Sequence, residues 1–312
     1  MAKGIKTVLV PVDGSKHSAA AVRYADQLAR ATGAGVELLF AFPKSAEALM
    51  GRLGGSMEQA LAAGWAEDAF GSMRKESASR AFKDARSQLG EDAVSMAETT
   101  LAGDPARAVL DHAKAVDSPA IVMGRRGLGR VREFLLGSVS ETVLAAAECP
   151  VTVISDDDEV IPRVFVVPVD GSEQSLAAAE HAAMLAKARQ GGIHLLHVFP
   201  NSPREIPGVG GSMAELAGVG PFAEHSFTEL AREMAEKAFG EARYRIGDAG
   251  IEVKDVRRGG DPATIINAYS REVGQVEIVM GRRGKGRLDN FLMGSVSRRV
   301  VHGAHCPVTV VH

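Results

Sequence analysis

The stretch Gly124-Arg125-Arg126-Gly127, followed after nine residues by Gly137-Ser138, returns later in the chain as Gly281-Arg282-Arg283-Gly284, followed after nine residues by Gly294-Ser295. The two lie 157 positions apart (281 against 124). The same offset relates 10–15 to 167–172 (Val-Pro-Val-Asp-Gly-Ser), 103–106 to 260–263 (Gly-Asp-Pro-Ala) and 149–153 to 306–310 (Cys-Pro-Val-Thr-Val). One domain is therefore written twice, and each copy carries a glycine-rich loop suited to phosphate. The expected division is a first domain over 1–155, an acidic linker over 156–162 and a second domain over 163–312.

The bulk composition agrees with two globular domains. A chain of 312 residues, 46% hydrophobic and 24% charged, fits two cores of ordinary size. A formal net charge of −3 provides no general basic field to recruit nucleic acid. Cys149 and Cys306 occupy equivalent positions in the two copies, so a disulfide framework is not expected and a reducing cytoplasm is. The first residues run straight into a short apolar strand without a signal-peptide core. No apolar run approaches the roughly 18 residues that a membrane span needs.

Along the first copy, residues 6–12 form an apolar, β-branched run closed by Asp13-Gly14, which predicts a buried strand. Ser15 caps a helix reaching about Thr32, with Gly33 as its stop. Strands follow at 36–42, 94–102, 120–123 and 150–154. Helices are expected at 72–89, from Asp104-Pro105 to about Val116, and from Gly137-Ser138 to about Ala147. The segment 44–71 reads as a loop with a helical piece. Copy two repeats the order, with strands near 164–169, 193–199, 252–257, 277–280 and 308–311. Alternating strands and helices, with strands that lack clean period-2 patterning, imply an α/β fold: two tandem open parallel sheets with helices on both faces.

In such sheets ligands sit beyond the carboxyl ends of the strands. Asp13, the end of the second strand at Ala41-Phe42, and Gly124 all emerge there. Gly124 and Gly127 allow close backbone approach. Gly137-Ser138 opens a helix whose first N–H groups favour an anion, and Ser138 and Ser140 add hydroxyls. Arg125, Arg126, Arg130 and Arg132 line the first loop; Arg282, Arg283, Lys285 and Arg287 line the second. Asp13 and Asp170 are placed to accept hydrogen bonds from ribose hydroxyls. Each part alone has a plainer explanation: a turn, a helix cap, a solvated basic face. Their fixed order in both halves is what points to nucleotide. Neither a Walker loop nor a Gly-x-Gly-x-x-Gly fingerprint after the first strand is present.

With Asp13, Gly124, Gly127, Gly137 and Ser138, and again Asp170, Gly281, Gly284, Gly294 and Ser295, the chain resembles the ATP-binding branch of the universal stress protein family, as a tandem two-domain member. The resemblance implies a five-stranded parallel sheet per domain with ATP across the strand ends, a Rossmann-like arrangement. Pro11 and Asp13 would touch base and ribose, the Ala41 backbone would read the adenine edge, and Met123 would pack nearby. Gly124, Arg125, Arg126, Gly127, Gly137, Ser138, Val139 and Ser140 would surround the phosphates. In copy two these are Pro168, Asp170, Val198, Met280, Gly281, Arg282, Arg283, Gly284, Gly294, Ser295, Val296 and Ser297. The phosphate role of the paired arginines is an inference from their charge, with a solvent-facing position as the alternative. Mg2+ would arrive with the nucleotide, since no protein ligand for it is evident. The family also implies pairing of last strands, here an intramolecular pseudo-dimer of the two domains, with a homodimer as a further level of assembly. The inserts 44–71 and 201–225 are candidate lids, with simple covering of the core as the other reading.

Chemistry is less legible than binding. Hydrolysis needs a base or water-positioning group near the γ-phosphate. His112 lies in a helix far along the chain from the loop, and His194 and His197, three apart on a strand, face opposite sides. His302, His305 and Cys306 cluster, but copy one has Ala145, Glu148 and Cys149 there, so no metal site is expected. The function expected is an ATP-binding, nucleotide-dependent regulatory or stress-response protein without dedicated catalysis. A slow ATPase or phosphotransferase of the same fold is the alternative.

Overall fold

Val8, Leu9 and Val10 are all wholly buried, which is why the first strand shows no polar alternation: both of its faces are covered. A computed structural model describes residues 4–52, 67–127, 136–155, 162–200, 221–248, 250–284 and 293–312. The chain folds as two compact units, over Lys3–Ile161 and Pro162–His312.

In the first unit, β1 (Thr7–Pro11), β2 (Gly35–Phe42), β3 (Met96–Ala102), β4 (Pro119–Gly124) and β5 (Val151–Ile154) are all parallel, in the order β3-β2-β1-β4-β5. The chain winds outward to β3, then crosses back to β4, so the strand order reverses between β1 and β4. Helices α1 (Lys16–Thr32), α2 (Ala46–Arg52), α3 (Glu67–Arg86), α4 (Pro105–Ala115) and α5 (Ser138–Ala146) fill the connections. The second unit repeats this with β6 (Val164–Pro168), β7 (Gly192–Phe199), β8 (Val253–Gly259), β9 (Val276–Gly281) and β10 (Val308–Val311), ordered β8-β7-β6-β9-β10. Its helices are α6 (Glu173–Arg189), α7 (Pro221–Ile246), α8 (Pro262–Val273) and α9 (Ser295–Gly303).

Helix starts follow the capping residues. Ser15 accepts from the Ser18 amide at 3.1 Å, and Ser172 from that of Ser175 at 3.2 Å. Asp104 and Asp261 cap α4 and α8 by accepting from Arg107 and Thr264 at 3.2 and 3.0 Å, each with proline next. The alanines of α1 (Ala20, Ala21, Ala25, Ala29) are buried, so the helix lies close against the sheet. Boundaries differ by a few residues from the sequence reading at several elements, most at the start of α3. It begins at Glu67 rather than 72, because Phe70 docks against Phe42, ring centroids 5.4 Å apart, and carries the helix through Gly71. Residues 53–66 and 201–220 of the two expected lids, and 156–161 of the acidic linker, lie outside the described residues.

The second departure is chemical. The expected strand at 277–280 begins with a charged residue, and that Glu277 of β9 is fully buried. Arg189 of α6 donates to Glu277 Oε2 at 2.8 Å, and Thr309 of β10 to Oε1 at 2.6 Å. The Arg189 guanidinium also lies over the Phe165 ring, 5.5 Å from its centroid. Burial, with Arg189 adding to it and Glu277 opposing, pushes His181 down to about 4. Copy one has Thr32, Ala120, Val8 and Tyr24 at these places, so the polar cluster belongs to the second unit's core.

Glu277→Ala leaves a buried guanidinium without its carboxylate and should cost about 3–5 kcal/mol in chemical denaturation. Installing copy one's residues together (Arg189→Thr, Glu277→Ala, His181→Tyr) should recover more than half of that loss. As for pH, an unfolded histidine takes up its proton near pH 6.5, whereas folded His181 refuses it until about 4. Its share of stability is complete above 6.5 and is lost as pH falls from 6.5 towards 4. Burial, and after it Arg282 and Arg283, hold His312 at about 4 as well, which adds the same sign. Between pH 7 and 5 the His181 share amounts to about 2 kcal/mol. Unfolding curves at the two pH values should show His181→Tyr losing correspondingly less than the parent chain.

Candidate functional site

The reversal of strand order between β1 and β4 opens a crevice at their carboxyl ends. β1 stops at Pro11; the Val12 amide still donates to Leu39 O at 2.8 Å, and the chain then turns at Asp13-Gly14. Asp13 Oδ1 accepts from the Ser15 amide at 3.0 Å, which fixes the carboxylate at the foot of α1. β4 ends at Gly124, and the Arg125 amide donates to Ile154 O at 2.7 Å. Gly137 returns and donates to Arg125 O at 2.9 Å, pinning both ends of the glycine loop. The part of the loop that carries Arg130 and Arg132 lies outside the described residues.

The two loop glycines are required by the protein's own atoms. A Cβ on Gly124 would lie 2.6 Å from the carbonyl carbon of His17, where α1 crosses the strand end. A Cβ on Gly127 would overlap Asp13 Oδ2. The sequence reading assigned these glycines to ligand approach. In the structure they first serve the fold, because they let α1 and the Asp13 carboxylate close up against the loop.

A cavity of about 330 Å3 results. Of the predicted site residues in copy one, Pro11, Asp13, Ala41, Met123, Gly124, Arg126, Gly127, Gly137, Ser138, Val139 and Ser140 line it. Arg125 does not: it is 6% exposed and turned into the protein, neither phosphate-facing nor solvent-facing as the sequence alternatives had it. The Ser140 hydroxyl is also committed elsewhere, donating to Gly124 O at 2.9 Å from a buried position. It braces the loop, and only its backbone amide is left to face an anion. Sequence reasoning missed Val12, Ser18, Leu39, Phe40, Pro105 and Val109 on the wall. Pro105 and Val109 were legible as the first turns of the helix that Asp104 caps, but no local signal shows that this helix leans over the crevice.

Among the described residues lining the cavity, the ionisable side chains are Asp13 and Arg126. The floor is the start of α5. Its cap position is Gly137, which has no side chain to accept from the first amides. α1, α4, α6 and α8 all have side-chain caps; α5 and α9 do not. The free N–H groups of α5 therefore open on the cavity next to Arg126, a strong local preference for an anion.

Copy two repeats this framework. Arg282 donates to Val311 O at 2.8 Å, Gly294 to Arg282 O at 2.9 Å, and Ser297 to Gly281 O at 2.9 Å. A Cβ on Gly281 would lie 2.7 Å from the Gln174 carbonyl carbon, and one on Gly284 would overlap Asp170 Oδ2. Pro168 ends β6 as Pro11 ends β1, Val198 and Met280 are next to last in β7 and β9 as Ala41 and Met123 are in β2 and β4, and Ser295 and Val296 open α9 as Ser138 and Val139 open α5. Two details differ. Gln174 Oε1 accepts from the Arg283 amide at 2.6 Å, where copy one has His17. His197 Nδ1 lies 2.7 Å from Val169 O, with its ring edge-on to Phe239; Phe40 and Phe82 make the same ring contact in copy one without the polar bond. Lys285 and Arg287 lie outside the described residues.

Elsewhere, His194 and His197 face opposite sides of β7, towards Tyr269 and Phe239 respectively. Cys149 and Cys306 are buried and not joined in a disulfide, and burial pushes Cys149 up to about 11, which makes it inert packing. Among the described residues no helix is long and apolar enough to cross a membrane.

The family model described as the universal stress protein family matches residues 4–155 and again 162–312. A universal stress protein of Methanocaldococcus jannaschii is 33% identical over 152 residues, which are 48% of this chain and 81% of that one. One of Mycobacterium tuberculosis is 33% identical over 199 residues, so this chain matches 62% of that relative's length. The crystal structure of a universal stress protein from Archaeoglobus fulgidus agrees with a TM-score of 0.63 at 23% identity, covering 98% of this chain and 97% of that one, which is a likeness of fold. Two successive matches that take in nearly all of the sequence, on a fold of the same kind, decide the matter: the chain belongs to the universal stress protein family.

Proposed function

We propose that each unit binds one adenine nucleotide, ATP in the first instance, and that the protein acts as a nucleotide-dependent regulatory component of a stress response. The observation that carries this reading is the uncapped N-terminus of α5, opening with Arg126 on a cavity whose other wall is apolar. Phosphates would take the α5 amides, the Ser138 hydroxyl and Arg126. Asp13 Oδ2 would accept from a ribose hydroxyl. A flat base would lie between Pro11, Val12 and Val109, with the Ala41 backbone at its edge. The second unit offers the same groups from Asp170, Gly284 and Ser295. Its Arg283 amide is already engaged by Gln174, a bond that a phosphate would have to displace.

Mg2+ would be carried by the phosphates. Among the described residues no group of three or more His, Cys, Asp or Glu side chains is placed to hold a metal. A slow ATPase or phosphotransferase activity is the second reading, and Arg126 beside the phosphate position favours it by offering charge stabilisation. Asp13, the acid on the wall, has Oδ1 tied to the Ser15 amide, so water activation there is poorly served.

Gly127→Glu places a carboxylate against Asp13 and in the phosphate position. Calorimetric titration with ATP should then fall from two sites per chain to one, with affinity at the altered site weaker by about 100-fold. Gly284→Glu should do the same for the second unit, and the double variant should bind none. Arg126→Ala should weaken one site by about tenfold. Two sites persisting in both single glutamate variants would overturn the placement. A time course of ATP turnover separates a binding protein from a slow ATPase.

A further inference from the structure

A second cavity, of about 550 Å3, lies in the second unit between β7, the outer strand β8 and α8. Along β8, Asp255 and Arg257 turn towards α7, where Arg243 holds Asp255 at 3.0 Å and Glu236 lies 3.9 Å from Arg257. Lys254 and Arg258, on the alternate face of the same strand, therefore turn towards α8. His194 is the register partner of Lys254 on β7, and its Nδ1 is 3.0 Å from the Tyr269 hydroxyl of α8. Arg258 lies over the Tyr269 ring at 5.4 Å and reaches Glu272 at only 3.4 Å, with both side chains about half exposed. Such a loose exposed pair is worth little and yields readily to a better anion. Lys254 has no hydrogen-bonded or ion-paired partner among the described residues, although its charge, after burial, helps to hold His194 below its usual range, with Glu252 opposing.

The duplication supplies an internal comparison. At the same places copy one has Glu37, Ala97, Thr100, Leu101 and His112 in place of His194, Lys254, Arg257, Arg258 and Tyr269. There the space is closed by a direct contact, His112 Nε2 to Glu37 Oε2 at 3.1 Å, with Thr99 donating to Glu37 Oε1 at 2.5 Å. A self-satisfied acidic position in one unit has become in the other an open groove where Lys254, Arg257 and Arg258 outnumber the carboxylates of Asp255 and Glu272. The groove also stands apart from the glycine-loop site. Pro105 and Val109 of α4 line the first unit's nucleotide cavity, whereas Tyr269 is the equivalent of His112, one turn farther along that helix.

We propose that this groove binds a small phosphate-bearing anion, with Lys254 and Arg258 as charge ligands and the Tyr269 hydroxyl and His194 ring as hydrogen-bonding groups. The site has no counterpart in the first unit and does not depend on nucleotide binding at either glycine loop. Binding would replace the weak Arg258–Glu272 contact by charge-assisted bonds to the anion.

The probe is inorganic pyrophosphate, titrated into the full chain while the His194 ring protons are followed by NMR. The expected result is a saturable shift below about 10 mM, with a rise in the His194 pKa because the anion offsets Lys254. Lys254→Ala and Arg258→Ala, both at exposed positions, should each weaken binding by about tenfold while circular dichroism stays unchanged. Gly284→Glu, with its circular dichroism unchanged, should leave the titration unaltered, which separates this site from the nucleotide site. A titration with no saturable shift, unchanged affinity in both cation variants, or loss of the effect in Gly284→Glu with unchanged circular dichroism would each overturn the proposal.

Discussion

The contact on which the rest of each unit depends is the one between the aspartate after its first strand and the second glycine of its loop. Asp13 Oδ2 occupies the space that a Cβ on residue 127 would need, and Asp170 does the same at 284. A larger residue there makes the aspartate carboxylate or the loop give way. One residue pair thereby couples two ends of the crevice that are far apart in sequence. The strand end, the foot of α1 and the two ends of the glycine loop are drawn together in one frame, braced by buried Ser140 or Ser297. That frame aims the uncapped helix at the crevice. Groups held in place before binding favour affinity, since less ordering is left for the ligand to impose.

The two units act as controls for one another. Where both copies spend the same atoms on the same bonds, the feature belongs to the fold: the capped helices, the pinned loops, the aspartate–glycine contact. Where they differ, the feature belongs to one unit. Arg189, Glu277 and Thr309 form a buried charged cluster only where Thr32, Ala120 and Thr152 do not offer one. The cationic groove beside β8 is a second case. Gln174 and His197 are a third, lying beside the second unit's glycine loop and strand end. Duplication has kept the frame and varied what surrounds it.

Much of the fold was legible because its signals are local. Ser15, Asp104, Ser172 and Asp261 start helices by satisfying amides three residues on, and a strand buried on both faces must read as an apolar run. The repeat offset told which signals to trust. What escaped were consequences of long-range packing. Glu277 looks like a misplaced charge until Arg189, 88 residues away, is brought to it. Arg125 and Arg126 are identical neighbours in sequence, yet strand geometry buries one and leaves the other on the cavity wall. Gly124 and Gly127 were recognised as indispensable, but for ligand approach, because the crossing of α1 is not written near them. The wall contributed by Pro105 and Val109 depends in the same way on how α4 leans on the sheet.

The central claim is that two frames of this kind hold two adenine nucleotides. The most direct measurement is mass spectrometry of the small molecules released when the purified protein is denatured, followed by titration of the stripped protein with ATP. The account predicts an adenine nucleotide in the released fraction and two bound per chain at saturation. Release of none, together with no binding on titration, would contradict it.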